Sequence, residues 1–467
     1  MILLLQAAPL VLLVALLVSG RAGPVPAVLA ALAAALPAAL LSLPAGVAPV
    51  GFLAEETARG AFLALKPIAV VAGRLLFHAA VTREAGATAP APPSARRVFV
   101  ATLLAGTFLE SVTGFAVGAV FALSALRGMG LGGAPAGAMA LLALTLVPWG
   151  GLGPGTALGA ALTGIPAQEI AAATAWPTAI WLPLLGPVLW RLCAAAGIVV
   201  PPAEKLVQTL VLCLVSALLL LSHRLFPFEA AGIIATGLPL LAMLWWQDPP
   251  RGAAGWRRAA ATLAPYAGLT VALLAARGWA GAPAWAPYPD LPAFPLSHVA
   301  IVLWVVAAVL LALSGDGAAR AAAALRRAQR PALVMLLYVV LARWMVGSGM
   351  AGSLAEAAAG ALGPLTPFAV PVLGLAAGIV TGSNVGSNAA LMPVQAALGA
   401  AAGLPAILAP ALHNFAGSAG AGMSFAVTAM ICGLLADGTR PAGIWRLLLP
   451  SMALVVLVGW AVVLAAG

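Results

Sequence analysis

A carboxyl group that interrupts an apolar run is the first residue here whose type and place suggest chemistry. Glu110 is the only charged residue in Val98–Leu126. An ionisable side chain at such a depth costs about 2.5–3.5 kcal/mol on insertion scales, so it is seldom kept without a use. On a helix its i±3 and i±4 neighbours are Gly106, Thr107, Thr113 and Gly114, a stripe of small and hydroxylic residues that faces other helices rather than lipid. Two readings stand side by side. Glu110 is a protonated acid hydrogen-bonded inside a bundle, or a site carboxyl that takes a proton or orients a ligand, with Thr113 and Gly114 beside it.

The second constellation is Gly382-Ser-Asn-Val-Gly-Ser-Asn388, set between the apolar arms Phe368–Thr381 and Ala389–Leu398. Gly and Asn form helices poorly, while Ser and Asn cap new ones. The tract predicts a half-helix, an unwound tip and a second half-helix whose N–H groups face the tip. That is an anion site made of backbone dipoles, with Ser383, Asn384, Ser387 and Asn388 as its side chains. A polar packing seam is the alternative. Asn414–Ser424 has the same character, supplies Asn414, Ser418 and Ser424, and is preceded by His413. His413 is a candidate proton carrier, with a buried neutral or capping histidine as the other reading. Pro148–Thr156 is its expected counterpart as a broken helix.

These tracts pair off between the halves of the chain. Gly106–Gly114 and Gly378–Gly386 share an eight-residue glycine spacing, and each is followed about one membrane pass later by a second breaker tract. Paired interrupted segments are a sequence pointer to a transport site. Other charged residues invite duller readings. Glu55 and Glu56 suit an ion pair with Arg59, and Lys66, Arg74 and Arg343 sit where long cationic side chains snorkel to an interface. Arg343 as a countercharge to a bound anion stays open.

Elements that could position these residues must lie in a bilayer. Of 467 residues 63% are hydrophobic and only 7% charged, more apolar surface than a soluble chain can hide. Apolar stretches such as Ile2–Gly20, Pro24–Val50, Leu206–Leu221, Val299–Leu313 and Ile444–Ala466 follow one another. The expectation is an all-α polytopic membrane protein with roughly 12–14 spans in two inverted repeats with re-entrant or broken helices. The halves meet near residue 225, giving 1–225 and 226–467 within a single membrane domain. Alternating strands of barrel type do not appear. The first segment lacks a basic leader region and reads as a retained span.

The net charge of +10 does not point to nucleic acid, because the basic residues gather in gaps between apolar runs. Arg83, Arg96 and Arg97 form one group, Arg251, Arg257 and Arg258 a second, and Arg320, Arg326, Arg327 and Arg330 a third. That bias marks cytoplasmic loops and puts the N-terminus outside. About five apolar segments lie between Arg97 and Arg251, so one should re-enter or break, and a similar surplus follows Arg330. Glu84–Ser94 reads as a cytoplasmic loop and Gly281–Pro295 as an external, interface-seated one. Cys193, Cys213 and Cys432 lack paired spacing and predict neither disulfide nor metal site.

Three stretches, Gly106–Leu123, Thr381–Gly399 and Asn414–Met430, resemble the L-lactate permease family. The resemblance implies a multi-pass secondary transporter of a bacterial inner (plasma) membrane, with inverted repeats and re-entrant hairpins, commonly driven by proton symport. It puts Glu110, Gly114, Phe115, Ser383, Asn384, Ser387, Asn388 and Gln395 at motif positions. Two departures bear on substrate. Leu144–Pro148 stands where the family usually has an Asn-Thr pair, and Ala421-Gly-Met-Ser424 lacks the family's usual lysine.

The function expected is therefore import of a small monocarboxylate, of lactate or glycolate type, by proton or cation symport. Another small organic anion, or a passive anion channel, is the alternative. An anion entering a negative-inside cell needs a coupled cation, H⁺ first and Na⁺ second, and no P-loop is present to draw on ATP. The expected partners are the anion and the bilayer, without cofactor or nucleic acid, as monomer or homodimer. An enzyme is disfavoured, since 12 acidic residues and four histidines are scattered rather than clustered for acid–base or metal work.

Overall fold

The computed structural model describes residues 2–81 and 92–466. Arg83 and most of the expected Glu84–Ser94 loop lie outside the described residues. Among those described, ten helices are long and apolar enough to cross a membrane, and the shorter apolar helices Ile2–Val18, Val117–Gly128 and Val299–Ala312 accompany them. The protein is a helical multi-pass membrane protein. Its strands among the described residues form one small antiparallel ribbon, Ala284 opposite Pro295 and Trp285 opposite Phe294. That ribbon lies in the loop expected to sit at an interface.

The long helices Pro49–Val81 and Gly317–Gly347 pack along each other. Each precedes a broken helix, the second after the intervening helix Met350–Leu362: one stops at Thr113 and restarts at Val117, the other stops at Thr381 and restarts at Asn384. The breaks therefore fall at 114–116 and 382–383. Gly386, which the glycine spacing matched with Gly114, lies inside the restarted helix.

A second interruption follows in each half. Between the helices Gly133–Leu141 and Pro154–Thr163 the chain unwinds, with only a 3₁₀ turn at Val147–Leu152, as the Pro148 tract led us to expect. Asn414–Gly422 behaves differently. It is continuous helix within Leu408–Gly422, and the break waits until Met423–Ser424, where Ser424 caps the helix Phe425–Leu435.

Packing explains that helix. A Cβ on Gly378 would fall on the Gly417 carbonyl, and one on Gly420 on the Leu375 carbonyl. Gly374 and Gly378, four residues apart on Thr366–Thr381, form one side of this contact. Helix association in lipid depends on such close backbone approach, because the tails outside are as apolar as the helices themselves. The glycines of 414–422 serve a crossing rather than a break.

Charges near the span ends find partners. Glu55 and Asp290 both pair with Arg59, at 2.8 and 2.5 Å. Glu56 pairs with Arg343 at 2.6 Å, which gives Arg343 a structural partner. The Lys66 ammonium reaches the Pro292 carbonyl.

Gly378→Leu should separate the crossing helices and destabilise the protein by roughly 2 kcal/mol or more. Gly433→Leu, where a Cβ meets open space, should change little. Thermal unfolding of the purified protein in detergent compares them, and equal midpoints would remove the crossing from the account of stability.

Candidate functional site

The first break is held by Glu110. The helix reaching it passes through a wider π-helical stretch, Val100–Gly106, and stops after Thr113. Gly114, Phe115 and Ala116 then all take left-handed backbone angles, φ 64°, 58° and 60°. The arrangement is costly for the two residues that carry a Cβ, at about 1–3 kcal/mol each. It turns the N–H groups of the next helix back toward Glu110. One carboxylate oxygen accepts from the Ala116 N–H and the other from the Gly118 N–H, both at 3.2 Å. The acid thus closes the turn that follows it. Gly118 is glycine for a local reason, since a Cβ there would meet the Glu110 Cβ at 2.9 Å.

The Pro148 tract folds against this turn. Gly151, Leu152 and Gly153 are also left-handed, and Gly150 lies against Glu110. Between the two irregular segments comes the guanidinium of Arg74, carried by Pro49–Val81. A Cβ on Gly114 or on Gly151 would overlap its Nη1. The guanidinium carbon sits 3.8 Å from the centre of the Phe115 ring, a cation–π contact. Arg74 is 5% exposed, and its Nε has no hydrogen-bond partner. It does not snorkel. Val81, the end of its helix, is seven residues away, or about 10 Å at 1.5 Å per residue.

The second break faces the first. Thr366–Thr381 ends on left-handed Gly382, and the Ser383 hydroxyl accepts from the Gly386 N–H at 3.4 Å as Asn384–Ala401 begins. Behind the tip, Asn414 gathers the surrounding helices. Its carbonyl oxygen accepts from Asn384 Nδ2 at 3.1 Å and Asn388 Nδ2 at 2.9 Å. Its own amide donates to Thr156 at 3.0 Å and Thr174 at 3.1 Å. Asn388 Nδ2 also reaches the Gly155 carbonyl, at 3.0 Å. The side-chain oxygens of Asn384 and Asn388 are buried without partners.

A cavity of about 480 Å³ lies between the two breaks, bordered by Arg74, Glu110, Gly114 and Phe115 on one side and Ser383 and Asn384 on the other. The exposed residues on its border are Pro24, Phe115, Arg330, Ala426 and Met430. Of the residues singled out from sequence, Glu110, Gly114, Ser383 and Asn384 border it. Asn388 and Asn414 lie behind it in the amide network. Ser387 meets His413, whose Nε2 is 3.2 Å from both its hydroxyl and its carbonyl oxygen, and His413 is fully buried away from the cavity. Four others lie elsewhere. Thr113 donates to the Leu109 carbonyl, Gln395 to Val370, and Ser418 to Asn414, while Ser424 caps its helix.

The residue that the sequence reading misplaced is Arg74, expected to snorkel and instead buried on the cavity border. The available signal was its depth, the one charged residue in the apolar stretch Pro67–Phe77 and seven residues short of Val81.

Residues 294–466 match the family model of L-lactate permease. The stretch contains the second break, the Asn414 helix and the last span. Arg74, Glu110 and the first break precede it. None of the curated proteins matches the chain. Among solved structures the chain is similar to the YdaH transporter of Alcanivorax borkumensis, whose crystal structure is described as having an unusual topology. That likeness has 18% identity and a TM-score of 0.44, over 89% of this chain and 86% of that one. No residue role is carried over from it.

Gly151→Ala should push the Arg74 guanidinium from its seat and lower the unfolding midpoint. Removing the guanidinium as well, in Arg74→Ala/Gly151→Ala, should restore part of the loss, a coupling of about 0.5–3 kcal/mol. Strictly additive losses would mean that the two residues do not meet.

Proposed function

We propose that the protein is a secondary active transporter that imports a small monocarboxylate of lactate type in symport with a proton or another cation. The observation that carries this reading is the seat of Arg74, a buried guanidinium without an ion-pair partner among the described residues. It borders the same cavity as the N-terminus of Asn384–Ala401. A carboxylate placed there meets a cation on one side and helix N–H groups on the other. The match of residues 294–466 to L-lactate permease supports the same class of anion. Arg74 also offers a carboxylate partner in a chain without the lysine expected near Gly422, which borders the same cavity.

Coupling follows from the charges. Moving one negative charge inward against 100 mV costs about 2.3 kcal/mol, so at least one cation must accompany it. Glu110 borders the cavity and is the better placed of the two proton candidates. His413 is held by Ser387 outside it. A Na⁺-coupled reading has one observation in its favour, the unpartnered oxygens of Asn384 and Asn388, since hard cations take such ligands.

Uptake of labelled lactate into proteoliposomes tests the proposal. It should rise under an imposed inward H⁺ gradient, or under a Na⁺ gradient if the amide oxygens bind the coupling ion. Arg74→Gln should reduce it at least about tenfold, the loss of one charged hydrogen bond, with Arg74→Lys intermediate. Glu110→Gln should leave binding measurable and abolish the response to the H⁺ gradient. Indifference to both gradients would remove symport, and no uptake of any monocarboxylate would remove the substrate class.

A further inference from the structure

The cavity is larger than a lactate-sized anion requires, and its chemistry is lopsided. At about 480 Å³ the cavity falls within the roughly 300–1,000 Å³ range of sites that hold drug-sized organic ligands. A three-carbon hydroxy acid is much smaller than such a ligand. Its polar border is limited to Arg74, Glu110, Thr381 and the Ser383–Asn384 tip, with exposed Arg330 beside them. The rest of the wall is apolar, built by Leu144, Val147, Met335, Tyr338, Val427 and Met430. These come from three separate segments of the chain, so the apolar wall is a property of the assembled site and not of one helix face.

Sites for small organic ligands commonly show this division, with few polar groups fixing orientation and an apolar enclosure for the body. We infer that the preferred anion is a monocarboxylate with a branched or aromatic apolar body, its carboxylate at Arg74 and its body against the Val427–Met430 side. The inference rests on the reading of this cavity as the anion site. The charges favour one carboxylate rather than two. Arg74 is the buried cation of the cavity, Glu110 repels a second anionic group beside it, and Arg330 is exposed on the cavity border.

Competition against labelled lactate in proteoliposomes decides the matter, with glycolate, 2-hydroxyisocaproate, phenyllactate and succinate as competitors. Half-inhibitory concentrations should fall from glycolate to lactate to 2-hydroxyisocaproate, about fourfold for each methylene buried. Phenyllactate should compete at least about tenfold better than lactate, and labelled phenyllactate should itself be taken up. Val427→Phe, which narrows the apolar end, should cut the phenyllactate-to-lactate preference about tenfold. Larger acids that compete no better than lactate would overturn the inference and leave monocarboxylate transport standing. Preference for succinate would overturn it in favour of a site that uses Arg330. Failure of lactate and phenyllactate alike to enter under either gradient would instead remove the transport reading on which it rests.

Discussion

A buried guanidinium sets the terms for the centre of this protein. Arg74 is held where a Cβ on either of two glycines would be, with the Phe115 ring against its face. A charge removed from water is tolerated only where its surroundings replace the lost solvation. Here they comprise an aromatic face, the nearby Glu110 and the cavity itself. Gly114 and Gly151 belong to different irregular segments, so the seat exists only once both have unwound and met. The left-handed backbone at Phe115, Ala116 and Leu152 is the strain that accompanies this arrangement, and Glu110 offsets part of it by accepting the two N–H groups of the restarted helix.

Glu110 therefore has a structural and a chemical face at once. As an acceptor for two backbone donors it fixes the first break, and as a cavity residue it is available to a ligand or proton. The roles are linked. Protonation would withdraw one acceptor from the turn that seats Arg74, so a change of charge at Glu110 would reach the guanidinium proposed to hold the anion through the backbone. Coupling between a proton and an anion requires such a shared element whose state both partners bias.

Much of this was legible in the residues, and the failures have a physical cause. The apolar runs, Glu110 and the Gly-Ser-Asn tract all announce themselves, because lipid leaves few reasons for a carboxyl or an unwound tip. The Pro148 tract was legible too, since proline and four glycines in eight residues cannot sustain a regular helix. Asn414–Gly422 misled because glycine has two uses in a membrane, breaking a helix or letting two approach, and composition does not separate them. Gly420 beneath the Leu375 carbonyl does. Arg74 was misplaced because an arginine in an apolar stretch of helix is ambiguous until its helix is measured and its neighbours are placed.

Asn414 joins what the breaks leave separate. Its amide binds Asn384 and Asn388 from the second half and Thr156 and Thr174 from the first, with Asn388 also on the Gly155 carbonyl. Pro154–Thr163 follows directly on the segment that seats Arg74, while Asn384–Ala401 begins at the tip facing it. Side-chain hydrogen bonds between membrane helices contribute about 0.6 kcal/mol each on average. Such bonds are strong enough to set a register and weak enough to be exchanged. A cavity formed between two broken helices needs both properties if it carries the proposed anion, since its walls would hold one geometry around the ligand and then release it.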